Sequence, residues 1–317
     1  MKIAYLGSGD FGLYCLNALR DSNHNVQFIL TQPPRAAGRG RKTTPTAVAL
    51  WAQQNRVPCL QTGNAADPSV IEQIRDIRPD LIVVIAFGQK ICDALIALPP
   101  MGIINVHPSL LPQYRGAAPV NWAIINGETE TGVTIATITP QWDAGAILAC
   151  TKTPIKPDET ADCLSQRLAA IAAPLLMQTL DKIEDGTAAC TDQDHSKATR
   201  APKLKKSDGY IDFNAPAQKI RNCIRGFWPW PGASAIYSSG TADETCRVTF
   251  AMAQLAEPSD RRDMSPGTVD ENLNIVCSDG ALKITEIKPA GRDLMTFAAF
   301  VNGYRVAPLD KFVKIEQ

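Results

Sequence analysis

Four short apolar runs, residues 2–6, 26–31, 81–86 and 101–106, alternate with stretches of helical periodicity at 12–20, 45–55, 68–77 and 118–126. No other property of the chain narrows its fold as much. Apolar runs too short for helices, with a helix-patterned stretch after each, are the mark of parallel strands joined by helical crossovers, so the spacing predicts an α/β fold with a doubly wound, mainly parallel, Rossmann-like sheet. Residues 131–138 and 146–155 add two further β-rich segments, and 160–184 carry the pattern of one long amphipathic helix.

Beyond residue 185 the pattern changes. Residues 186–207 are polar and show no apolar period. A helix is expected at 215–226, a rigid turn at 228–232, and short closely spaced strands at 233–237, 246–251, 273–277 and 281–287. Close strand spacing without intervening helices predicts a small β-rich barrel of the OB-like kind. A chain of 317 residues has room for two cores. The expected division is a catalytic domain at 1–189, a basic linker at 190–208 and an OB-like domain at 209–317.

Composition excludes more than it selects. Lys+Arg and Asp+Glu cancel at 32 each, so the molecule as a whole has no field that announces a nucleic acid or a membrane. The chain begins directly in a strand pattern and no stretch approaches 18 uninterrupted apolar residues, which predicts a cytoplasmic protein with no membrane partner. The nine cysteines are scattered, with Cys150 and Cys163 the nearest pair in sequence. That excludes CxxC spacing; reduced, mostly buried thiols and no metal site are expected.

Gly7, Gly9 and Gly12 match the dinucleotide fingerprint between a strand and a helix. That reading also needs an acidic residue about 20 positions on for the ribose hydroxyls. The second strand ends instead at Thr31, Gln32 and Pro33, although Arg35 could meet a 2′-phosphate. An NADP-dependent oxidoreductase therefore stays open, against a plain tight turn with close helix packing.

The chemistry concentrates at Asn105, Val106, His107 and Pro108. Alternation along an extended strand puts Asn105 and His107 on one face and turns Val106 into the core. Pro108 ends the strand, so both polar groups sit at a carboxyl end, where open α/β sheets place their ligands. Moving an acyl group between nitrogens needs a donor for the oxyanion and a group that handles the amine proton. The Asn105 amide suits the first task and the His107 imidazole, whose ring nitrogens can take up and release a proton, the second. Asp143 lies 36 residues beyond His107, just before Ala144 and Gly145, where it can orient the ring. Taken alone, each of the three has an ordinary structural reading, and His24 and His195 keep that reading.

Asn105 to Pro112, with its Ser109, Leu110, Leu111 and Pro112, then Arg115-Gly116 and Asp143-Ala144-Gly145, together resemble the folate-dependent formyltransferases. The resemblance implies Asn105, His107 and Asp143 as the catalytic trio and 10-formyltetrahydrofolate as co-substrate. Its pocket would be lined by Ser109, Leu110, Leu111 and Pro112, by Phe87, Gly88 and Gln89, and by residues 138–142. Independently of that, the same segments read as an apolar, proline-stiffened loop suited to a flat heteroaromatic ring. Where the family often carries a second acid directly after the glycine, this chain has Ala146, so the weight falls on Asp143 alone.

The acceptor has to be read elsewhere. Arg35, Arg39, Arg41 and Lys42 form a run with no acidic residue, and residues 197–225 hold Lys197, Arg200, Lys203, Lys205, Lys206, Lys219, Arg221 and Arg225 against Asp208 and Asp212. A basic stripe in a neutral protein suits a phosphate backbone; its ordinary reading is a solvated face. Residues 31–41, 201–205 and 225–232 also resemble the family members that act on aminoacyl-tRNA. The implied acceptor is the α-amine of methionyl initiator tRNA. The implied tRNA contacts are Arg35, Arg39, Arg41, Lys42, Lys203, Lys205, Lys206, Arg221 and Arg225, and a monomer is expected. A formyltransferase for an amino-sugar or nucleotide acceptor is the alternative.

Overall fold

The structure is a computed structural model that describes residues 1–37, 42–240, 245–257 and 264–316. It divides into two compact units, the first comprising Met1–Pro119, Glu130–Pro154 and Ser165–Pro202. A seven-stranded sheet runs through this unit in the order Ile147–Pro154, Glu130–Thr137, Ile103–His107, Leu81–Ile85, Lys2–Gly7, Asn25–Thr31, Cys59–Gln61. The last five are parallel, and the first two pair antiparallel at one edge. All five residues of Leu81–Ile85 are buried, as expected for a strand covered on both faces.

The predicted helices are present at Leu13–Arg20, Ala47–Asn55, Pro68–Ile77, Pro119–Ile125 and Ala161–Glu184. Their ends follow local chemistry. The Thr46 hydroxyl accepts from Ala49 N, and Asp67 caps a helix whose first residue is Pro68, where a missing N–H costs nothing. Most boundaries differ from the sequence reading by one or two residues, and one strand of this sheet was not expected. The strand expected at 101–106 begins at Ile103, because Gly102 turns at φ 80°, and it runs on to His107. The edge strand Cys59–Gln61 has three residues, too few to show an alternation.

The glycines of the first turn are explained by packing. Tyr5 is fully buried beneath the turn, and a Cβ on Gly12 would stand 1.9 Å from its hydroxyl, or on Gly7 2.6 Å from its ring. A tyrosine under the turn thus bars a Cβ at Gly12 and, together with the Ile85 carbonyl, which would also stand at 2.6 Å, at Gly7.

Residues 190–202, placed in a linker because they are polar, lie within the first unit. Thr191 bridges Ile147, Gln193 is 6% exposed, and Arg200–Ala201 pairs in parallel with Arg115–Gly116. These contacts are made largely by backbone, which a hydropathy pattern does not register.

The second unit comprises Val120–Thr129, Ile155–Leu164 and Lys203–Gln317. Its antiparallel sheet has the order Ile275–Val276, Ala281–Pro289, Thr245–Ala256, Ala233–Ser238, Lys311–Val313. Bridges from Thr268 to Lys311 and from Val269 to Ile275 link its two edges, giving the nearly closed, OB-like barrel. Register shifts at Phe250 and Met252 let the long strand Thr245–Ala256 bend around it. The helix Ala217–Phe227 packs on this sheet, and Tyr237, Phe250, Phe300 and Phe312 fill the interior with edge-on and tilted ring contacts. The helix Phe297–Tyr304 is apolar on average and carries no charge, so no helical period shows in its residues.

One expectation is corrected. Of the nine free cysteines, Cys15 and Cys277 are buried, whereas Cys150, Cys163 and Cys190 are exposed. Cys150 stands on an edge strand and Cys163 on a helix face, where a small residue is tolerated in water as readily as in a core.

Gly12→Ala should lower stability by roughly 1–3 kcal/mol, the usual cost of overpacking. Tyr5→Phe removes a buried hydroxyl that has no hydrogen-bond partner, and should restore part of that loss in the double variant. Urea unfolding of the four proteins measures the coupling. The same loss in both backgrounds would mean that the added methyl does not meet Tyr5.

Candidate active site

His107 ends its strand deep in the first unit, 4% exposed, with Asn105 two residues earlier on the same face and Val106 in the core. The Ile103–His107 strand pairs with Leu81–Ile85 on one side and Glu130–Thr137 on the other, so both polar side chains are held by a rigid sheet. After His107 the chain turns, and the Ser109 hydroxyl donates to Gln113 O at 2.7 Å. Thr134 Oγ1 donates to Ser109 O at 2.6 Å and accepts from Leu111 N at 3.2 Å, tying this loop to the neighbouring strand.

Asp143 arrives from the far end of that strand and joins the pair. Its Oδ1 accepts from Asn105 Nδ2 at 3.2 Å and faces His107 Nδ1 at 3.7 Å, while Oδ2 accepts from the Gly116 N–H at 2.8 Å. The backbone of Asp143 is in the left-handed region at φ 49°, which costs a residue with a Cβ about 1–2 kcal/mol. Gly145 follows because a Cβ there would stand 1.8 Å from Thr137 O. Gln193, from the segment beyond the long helix, donates from Nε2 to the carbonyls of Asp143 at 3.0 Å and Gly145 at 2.6 Å.

The other ring nitrogen of His107 fixes the tautomer. Nε2 lies 2.9 Å from the carbonyl of Tyr114, which can accept and not donate, so Nε2 carries a hydrogen. Nδ1 is then the nitrogen that exchanges a proton, and the Asp143 carboxylate stands beside it. The Asn105 amide has two N–H groups, one directed at Asp143 and the second available to a developing oxyanion. An amide that can donate to an oxyanion and an imidazole that can carry a proton thus both face a single carboxylate.

The expected folate residues divide by orientation. Phe87 is 2% exposed in the apolar core and Ser109 is fully buried, so their side chains serve the scaffold. Gln89 holds Ala65 N and Thr62 O, and Gly88 turns at φ 71° against the Gln32 amide. Leu110 and Pro112 are partly exposed and Leu111 is buried. Trp142, directly before Asp143, is 57% exposed.

The basic residues also divide. Arg35 is exposed, Lys42 pairs through its backbone with Ala37, and Arg39 and Arg41 lie outside the described residues. Lys203, Lys205 and Lys206 are exposed in the second unit. Arg225 is a correction: at 5% exposure it donates to the carbonyls of Lys156 and Glu159 and to Asn222 Oδ1, so it is a structural residue. Burial, and next to it the charge of Arg221, hold its guanidinium below the ordinary arginine range. Arg221 is also engaged, with Asp158 at 2.6 Å and with the carbonyls of Pro157 and Ala253.

Sequence reasoning missed Gln193, the Gly116 N–H and the Tyr114 carbonyl. Two of these act through the backbone and leave no mark in residue type, and Gln193 sits in a segment without periodicity. Among the described residues no group of three His, Cys, Asp or Glu could hold a metal, and no helix is long and apolar enough to cross a membrane.

Comparison with known proteins agrees with this geometry. Residues 1–180 match the formyl transferase family and residues 203–305 match the formyl transferase C-terminal domain. A methionyl-tRNA formyltransferase of Geotalea uraniireducens is 40% identical over 312 residues, covering 97% of this chain and 96% of that protein. One from Trichlorobacter lovleyi is 41% identical over 310 residues, covering 96% and 95%. Among solved structures, the sugar N-formyltransferase WlaRD is similar with a TM-score of 0.64 at 17% identity, covering 92% of this chain and 99% of that one. HypX from Aquifex aeolicus, solved with tetrahydrofolic acid, has a TM-score of 0.64 at 18% identity, covering all of this chain and 51% of that one. At such identities the structural likeness speaks for the fold alone. With both of its domains matched and its relatives aligned over nearly their full lengths, the chain belongs to the formyl transferase family.

Proposed function

We propose that this protein transfers the formyl group of 10-formyltetrahydrofolate to the α-amine of methionine carried by initiator tRNA, as a monomer in the cytoplasm and without a metal. The observation that carries the chemistry is the convergence of Asn105, His107 and Gly116 on the Asp143 carboxylate. Support for the acceptor comes from the relatives, whose names specify it and which align with both units of this chain. The exposed Lys203, Lys205 and Lys206 add a patch that suits a phosphate backbone.

In this reading the α-amine attacks the formyl carbon and the formyl oxygen takes up negative charge. The free N–H of Asn105 meets that oxygen. His107 Nδ1 receives the proton of the attacking amine, and Asp143 stabilises the cation so formed. The same proton then passes to N10 of the folate as its bond to the formyl carbon breaks, which releases tetrahydrofolate and leaves His107 unchanged.

Asn105→Ala, His107→Ala and Asp143→Asn should each lower turnover by about 10² to 10⁴ while leaving the unfolding transition close to wild type, since each removes an interaction made in the transition state. The assay supplies 10-formyltetrahydrofolate with methionyl initiator tRNA, an amino-sugar nucleotide or a small ribonucleotide amine, and follows tetrahydrofolate release. Release with the tRNA is expected. Release with a small acceptor and none with tRNA would transfer the proposal to the alternative class.

Replacing Lys203, Lys205 and Lys206 by Ala should weaken tRNA binding and reduce the slope of log affinity against log salt by about 0.7–0.9 for each phosphate that is no longer neutralised. An unchanged slope would take these lysines off the tRNA path.

A further inference from the structure

We propose that Gln193 is a positioning residue for the reaction, holding Asp143 in its left-handed conformation so that one carboxylate serves Asn105 and His107 together. The inference rests on the formyl-transfer reading for its consequence, and on geometry for its substance. A glutamine amide offers two N–H donors and one oxygen with two lone pairs. Here all four are used. Nε2 donates to Asp143 O at 3.0 Å and Gly145 O at 2.6 Å, while Oε1 accepts from Arg115 Nε at 3.1 Å and Nη2 at 2.6 Å. The partners also dictate which way the amide faces: two carbonyls require a donor, and a guanidinium requires an acceptor.

These bonds close a ring around the carboxylate. Arg115 grips Gln193, Gln193 grips the backbone of Asp143, and the side chain of Asp143 returns to the N–H of Gly116, the residue after Arg115. The Arg115–Gly116 segment is itself fixed, paired with Arg200–Ala201 and so close that a Cβ on Gly116 would stand 2.6 Å from Ala201 O. With Gln193 buried, loss of its amide leaves the carbonyls of Asp143 and Gly145 without a donor and allows Asp143 to leave a conformation that carries strain. A misplacement of about 1 Å at a reacting group can cost roughly 10²-fold in rate.

Glutamate separates this role from a simpler one. Gln193→Glu keeps an acceptor for Arg115 but presents an oxygen to the two carbonyls where a donor is needed. If Gln193 merely seated Arg115, the glutamate variant would work as well as wild type. The proposal expects both Gln193→Glu and Gln193→Met to lower kcat at least about tenfold, with the KM for folate and for tRNA within about twofold of wild type. It further expects no additional loss when either change is made in the Asp143→Asn background, because the position being guarded no longer matters there. A Gln193→Glu enzyme with wild-type kcat, or a loss of the same size in both backgrounds, would overturn it.

A readout without any acceptor keeps the two readings apart. The imidazole ¹⁵N resonances of His107 should move in Gln193→Glu, because the carboxylate beside Nδ1 moves. Unmoved resonances overturn the positioning role, whatever the acceptor. Moved resonances in a protein whose wild type does not formylate methionyl-tRNA uphold it and sink the functional reading instead. Should Gln193→Glu unfold at the assay temperature, Arg115→Lys gives the same decision. A kcat loss that vanishes in the Asp143→Asn background supports the ring of bonds, and one that persists contradicts it.

Discussion

Asp143 takes its backbone into the left-handed region at φ 49°, and the site depends on its staying there. From that conformation one carboxylate reaches the amide of Asn105, the ring of His107 and the N–H of Gly116. None of the three partners can stand in for it. Asn105 and His107 project from the same strand face, and the Tyr114 carbonyl meets only Nε2 of the ring. A residue in a sparsely populated backbone conformation is thus the one that touches both of the others.

The scaffold supplies what the carboxylate cannot. A strand paired on both sides brings Asn105 and His107 to its carboxyl end, the end at which open α/β sheets place their ligands. Thr134, on the adjacent strand, ties down the loop that follows. The opening turn of the fold is crowded by Tyr5 and packs its helix closely against the sheet. The second unit is built on a different principle, with an antiparallel sheet bent into a barrel around aromatic rings and with exposed lysines at its start.

Much of this was legible in the residues. Apolar runs and their spacing located four of the five parallel strands and the barrel, and alternation along a strand gave the face shared by Asn105 and His107. Other features leave no such pattern. Residues 190–202 read as a linker because backbone bonds hold them, and backbone bonds do not depend on residue type. Gln193 acts through its side-chain amide, and it passed unnoticed because its segment has no periodicity to mark it. Arg225 read as part of a charge stripe, yet the fold buries it beneath the Lys156 and Glu159 carbonyls, and charge alone cannot tell a buried cation from an exposed one. The glycines at 7 and 12 matched a phosphate-binding pattern, yet what crowds them is Tyr5 and, at Gly7, also the Ile85 carbonyl.

The central claim is that a formyl group changes nitrogen at this carboxylate-held pair. The most direct measurement supplies folate labelled with ¹³C in the formyl carbon, together with methionyl initiator tRNA, and weighs the amino acid released from the tRNA by mild base. Labelled N-formylmethionine from the wild type, formed at an initial rate at least about a hundredfold above that of the Asp143→Asn protein, is the result this account predicts. Label that stays on the folate or leaves as free formate in the wild type, or equal labelling by both proteins, would contradict it.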